Sequence, residues 1–136
     1  MFRNILAENC SVKIIGDSIA AGAGSSMSYK TEELIFEDNQ IKYFKRIVPN
    51  SWWGLLEEYL KKNYDGCTVC NKGCGGAYSY QINKYLDKLI SSEDQLVFIL
   101  MGLNVKSNCE EIIDKLISMN KIVALLTPTP SVFPFK

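Results

Sequence analysis

Three short stretches carry residue types that can do acyl-transfer chemistry. In KIIGDSIAAGAG (13–24) an apolar run stops at Gly16-Asp17-Ser18 and small residues follow at once. Gly16 permits a tight turn, and this predicts Ser18 on the first turn of the next helix, offering a hydroxyl and a backbone N–H toward a crevice. Taken singly, a serine there more often caps a helix. In NKGCGG (71–76) the glycines let backbone N–H groups approach a phosphate or an oxyanion. The phosphate reading is the weaker one, because the Walker Lys-Ser/Thr pair is missing and the glycine spacing does not fit the dinucleotide fingerprint. In MGLNVKSN (101–108) Asn104 can present a side-chain NH₂ just beyond a buried strand, although a loop asparagine alone is most simply an Asx-turn.

The elements that must position these stretches follow from periodicity. Apolar runs at 11–16, 67–71, 95–102 and 121–127 read as strands, the last two continuous enough to be covered on both faces. Between them SWWGLLEEYLKKNY (51–64) has helical spacing, with Lys61 and Lys62 in its last turn, and 78–90 repeats the pattern. A third helix is predicted from Ser107, where SNCE has the form of a capping box. Strand alternating with helix gives a parallel sheet with helices on both faces, a doubly wound α/β domain whose crevice lies at the strands' carboxyl ends. The stretch 32–48 stands apart as two strand-like halves around Asp38-Asn39-Gln40, an inserted β-hairpin that is either a flap or contact surface beside that crevice or, equally on loop-length grounds, an ordinary surface excursion.

In this order the three stretches resemble the GDSL, or SGNH, hydrolases, which are serine esterases and acyl hydrolases on a flavodoxin-like α/β/α sheet. The resemblance rests on Gly16-Asp17-Ser18 with its small-residue tail, on Asn71-x-Gly73-x-x-Gly76 and on Gly102-x-Asn104. It covers the chain from about residue 11 to the C-terminus. It implies Ser18 as nucleophile and backbone oxyanion donor, Gly76 as a second N–H donor and Asn104 as a side-chain donor. Asp17, Asn71, Gly73 and Gly102 are then the supporting loop residues. It also implies an ester substrate, with acetyl or another short acyl group on a carbohydrate or lipid, and no cofactor or metal.

The pattern breaks at the base. The family's Asp-x-x-His block is missing, and the 136 residues contain no histidine at all. The resemblance therefore implies one SGNH-like domain over 1–136 that stops before that block, with a four-stranded sheet lacking the usual fifth strand and last helix. Val105 stands where the family often has Asp. Lys72 and Lys106 flank the loops, but nothing in their spacing favours a Ser-Lys arrangement. An aliphatic strand at 121–127 left at the sheet edge invites a second copy or a completing chain.

Composition limits the alternatives. Fifteen basic residues balance fifteen acidic ones, so neither nucleic acid nor an anionic membrane is expected as partner. No apolar run is long enough to span a bilayer and no signal peptide is legible, which places the protein in the cytoplasm. Five scattered cysteines read as reduced thiols, and Cys67-x-x-Cys70 lacks the further ligands of a zinc site. Two other functions remain beside the esterase. One is a catalytically inactive binding or assembly protein of the same fold, and the weaker is nucleotide or flavin binding by analogy of fold alone.

Overall fold

The computed structural model describes residues 2–6, 9–102 and 109–126. In chain order its elements are α1 (Phe2–Leu6), β1 (Ser11–Gly16), β2 (Tyr29–Asp38), β3 (Ile41–Ile47), α2 (Trp52–Asn63), β4 (Thr68–Gly73), α3 (Ser79–Lys84), α4 (Leu86–Leu89), β5 (Leu96–Leu100), α5 (Glu110–Ser118) and β6 (Ile122–Leu126). The four apolar runs form one parallel sheet in the order β4-β1-β5-β6, and β2-β3 forms a separate antiparallel hairpin.

Alternation along the strands builds three layers. Val12 and Ile14 of β1, with Leu96 and Leu100 of β5, face α2, where Trp53 and Leu60 are buried against them. Ile15, Val97 and Ile99 point to the opposite face, into a core shared with Ile82, Leu86, Leu89, Ile112 and Leu116 of α3, α4 and α5. Because side chains alternate at each residue, β1 contributes to both cores, and it is buried throughout apart from its first residue.

β1 has β4 on one side and β5 on the other, so the chain reverses its direction of winding there, as at the switch point of doubly wound sheets. The three strands end level: Gly16 is in register with Gly73 of β4 and Leu100 of β5. A Cβ on Gly16 would overlap the Leu100 carbonyl oxygen, so only glycine allows this close pairing.

Several boundaries differ from the sequence expectation. No regular helix follows β1: residues 18–24 form successive turns whose N–H donors reach back four, three and five residues (Ala21 to Asp17, Gly22 to Ile19, Ala23 to Ser18). β4 runs on past the expected end at Asn71 to Gly73, so the loop proper begins at Cys74. The segment 78–90 is two short helices that break at Tyr85, where that ring stacks on Phe36 at 4.5 Å. α5 starts at Glu110 with Cys109 at its N-cap rather than at Ser107, which lies outside the described residues. The hairpin begins at Tyr29, three residues before 32, and turns at Asn39-Gln40, both at positive φ as a two-residue hairpin turn requires.

The hairpin is fastened by one carboxylate. Asp38 is buried and accepts hydrogen bonds from Lys84 Nζ (2.6 Å), Gln81 Nε2 (2.8 Å) and Tyr85 OH (3.0 Å). Gln81 in turn accepts from Tyr43 OH at 3.4 Å, and Phe36 and Tyr43 enter the same core as α3 and α4.

Candidate functional site

Two buried side chains hold the strand ends in place. The Asp17 carboxylate accepts the Ile19 N–H through Oδ1 at 3.0 Å and the Gly102 N–H through Oδ2 at 2.6 Å, joining the loops after β1 and β5. Asn71 joins β4 to the first loop: its Nδ2 donates to the Ala20 carbonyl at 2.7 Å, and its Oδ1 accepts the Gly73 N–H at 2.7 Å. Both residues are almost fully enclosed, where a polar group without partners would be costly. Gly73 belongs to the same joint, because a Cβ there would overlap the Ala21 backbone nitrogen.

The indoles add two further ties. Trp52 Nε1 donates to the Ile19 carbonyl at 3.1 Å and Trp53 Nε1 to the Ala21 carbonyl at 3.4 Å. Ser51 caps α2, its Oγ accepting the Gly54 N–H, and so orients both rings at the helix start.

Ser18 is the residue these ties leave over. Its Oγ and its backbone N–H donate to no described residue, and neither do the amides of Gly75 and Gly76. Ser18 lines a hollow of about 340 Å³ together with Ala21, Ala23, Gly24, Gly75 and, from the hairpin side, Ser28 and Arg46. The structure therefore brings Ser18, Asp17, Asn71, Gly73 and Gly102 to one place. Gly75 lines the hollow, and Gly76, the expected second N–H donor, is exposed next to it and is not among the residues that line the hollow. Asn104 and Lys106 lie outside the described residues. Lys72 is turned away from the serine, its Nζ donating to the Lys88 carbonyl at 3.2 Å.

Comparison of the chain with family models, curated proteins and solved structures returned no match. Among the described residues no three His, Cys, Asp or Glu side chains gather as metal ligands. No described helix is long and apolar enough to cross a membrane.

Sequence reading placed the hairpin beside the crevice but named none of its residues in the site. Arg46 and Ser28 meet at the hollow's rim, where Arg46 Nε donates to Ser28 Oγ at 2.8 Å. The period-two pattern Lys42-x-Phe44-x-Arg46 was the available signal, since it places two cations and a ring on one face of β3.

Proposed function

We propose that the hollow over Ser18 is the acyl site of a GDSL-type serine ester hydrolase whose anion-stabilising half is assembled in this chain and whose general base is no histidine of it. The observation that carries the reading is the division of labour at the strand ends. Asp17 and Asn71 use their polar atoms to fix the backbone, while the hydroxyl and amide of Ser18 donate to none of the described residues and lie beside a hollow.

In such a site Ser18 Oγ bonds to the ester carbonyl carbon, its proton passes to a base and the oxyanion settles on backbone N–H donors. The alcohol then leaves with a proton, and water cleaves the acyl-serine. Each oxyanion donor is worth on the order of 10²- to 10³-fold in rate. Loss of the histidine partner costs roughly 10⁶-fold in turnover, which makes the isolated chain very slow. Small residues along the hollow (Ala21, Ala23, Gly24) favour acetyl or another short acyl group on a carbohydrate or lipid ester.

An added base tests this directly. Imidazole at tens of millimolar should raise p-nitrophenyl acetate hydrolysis above the rate of the Ser18→Ala chain at the same imidazole concentration. The same base should speed fluorophosphonate labelling of Ser18. Equal rates for the two chains would overturn the hydrolase reading. The second reading, a binding protein of the same fold, is favoured by the absence of histidine from all 136 residues and would account for that result.

A further inference from the structure

A second recess adjoins the hollow over Ser18. Gly75 and Arg46 line both, and the second, of about 210 Å³, is otherwise walled by Lys30, Lys42, Phe44 and Tyr43 of the hairpin. Lys42, Phe44 and Arg46 alternate along β3 and so share one face, and Lys30 joins that face from β2 as the direct cross-strand partner of Arg46.

That pairing runs against hairpin stability. Like charges directly opposite each other across an antiparallel ladder repel, and charged residues in sheets are ordinarily set against opposite charges. Elsewhere in the hairpin lysines meet carboxylates: Lys42 is the register partner of Glu37, with 3.9 Å between the charges, and Lys45 pairs with Glu33 at 3.4 Å. Lys30 and Arg46 form no ion pair among the described residues. Both are nonetheless held in position. Lys30 Nζ sits 4.0 Å over the Phe44 ring, a cation–π contact, and among the described residues Arg46 is fixed through its Nε. The two terminal nitrogens of its guanidinium bond to no described residue, so the fork that grips a carboxylate or phosphate in bidentate fashion is left available.

We propose that the Lys30–Arg46 face of the hairpin seats an anionic group, a carboxylate or a phosphate, carried by the molecule that reaches Ser18. As a substrate subsite this rests on the acyl site proposed above, whereas the anion seat itself does not depend on Ser18 being reactive. The ester favoured is one whose alcohol half bears the charge, because Arg46 stands on the wall common to both recesses.

The test is a titration of the full chain with inorganic phosphate, glucuronate and, as neutral control, glucose, followed by amide chemical shifts and thermal unfolding. Phosphate or glucuronate should shift the amides of residues 30, 42–46 and 75 and raise the melting temperature, and glucose should do neither. A preference between the two anions distinguishes a phosphate from a carboxylate ligand. The Lys30→Gln, Arg46→Gln double variant should bind about tenfold or more weakly. The same substitutions remove the Lys30–Phe44 and Arg46–Ser28 contacts along with the cross-strand repulsion, so thermal unfolding of the variant without ligand is followed beside its binding to separate lost affinity from lost fold. Lys45→Gln, on the opposite side of the strand, should bind as the wild type does. Ser18→Ala should also keep the anion affinity, so that failure of the hydrolase reading and failure of the anion seat give different results. Absence of anion-induced shifts, equal shifts from glucose, or unchanged affinity in the double variant would each overturn the proposal.

Discussion

The Asp17 carboxylate accepts the Gly102 amide at 2.6 Å, across 85 residues of sequence. With its other oxygen on the Ile19 N–H, one buried side chain thereby sets the relative position of the loops after β1 and β5. The aspartate of Gly-Asp-Ser is here a brace for the backbone, and the serine beside it inherits its position from that brace.

Asp17→Ala removes the acceptor for two backbone donors at once. The expected cost is about 1–3 kcal/mol for each donor left buried and unpaired, read as a lower urea midpoint. Amide exchange at Gly102 and Ile19 should quicken by more than the change in global stability. An unchanged midpoint with unchanged exchange would show that neither contact matters in solution.

Gly73→Ala pushes a methyl group into the Ala21 backbone. Overpacking of this kind costs about 1–3 kcal/mol. The chain's two tryptophans both donate to carbonyls of this same loop, so their emission should shift as the loop moves. A wild-type emission spectrum together with wild-type stability would refute the tight joint.

Asp38 ties the hairpin to α3 and α4, and its carboxyl is lowered from 3.8 to about 2, first by the hydrogen bond from Lys84 and then by that from Gln81, with Tyr85 adding to them. A carboxyl whose folded pKa is lowered adds stability that is fully present above the unfolded value and is lost as pH falls through the folded one. The stability gap between the wild type and Asp38→Asn should therefore be constant above about pH 5 and close between about pH 4 and pH 2. A gap independent of pH across that range would place the carboxylate elsewhere.

The thiols should separate by burial. Desolvation pushes Cys74 up to about 12, with the Lys72 charge acting the other way, and burial also raises Cys10 and Cys109. The thiolate is the reactive form, so at pH 8 a maleimide should modify half-buried Cys70 first and Cys74 only through unfolding. Mass mapping that finds Cys74 labelled as fast as Cys70 would contradict the buried position.

Lys13 and Asp94 form an enclosed ion pair at 3.4 Å at the opposite end of the sheet from Ser18, and Asp94 also accepts from Ser11 Oγ and the Ser91 N–H. Lys13→Met leaves that carboxylate buried without its counter-charge, at a cost of roughly 3–5 kcal/mol. Denaturant unfolding would measure it, and a loss below 1 kcal/mol would mean the pair is hydrated.

The architecture was legible because its determinants are local and periodic. Continuous apolar runs cannot be solvated strands, and helical stripes between them require crossovers, so four parallel strands with helices on both faces followed from the pattern. Strand ends were less legible. The run read as a strand at 67–71 extends through Gly73, because Asn71 joins a local bond from the Gly73 N–H to a distant one, its Nδ2 donating to the Ala20 carbonyl 51 residues away, which no local rule supplies. The helix over 78–90 broke at Tyr85, where local propensity yields to stacking on Phe36 and a hydrogen bond to Asp38, residues more than forty positions away.

By itself the sequence determined that Ser18 stands at a strand end among small residues, and that no histidine in this chain can activate it. Only the tertiary structure decided which groups surround that serine. The Asp17–Gly102 bond and the packing of Phe36 and Tyr43 carry the distant loop and the hairpin to one rim, and Lys30 and Arg46 come with them. Such contacts depend on how sheet, helices and hairpin pack together, and residue spacing along a chain does not encode that distance.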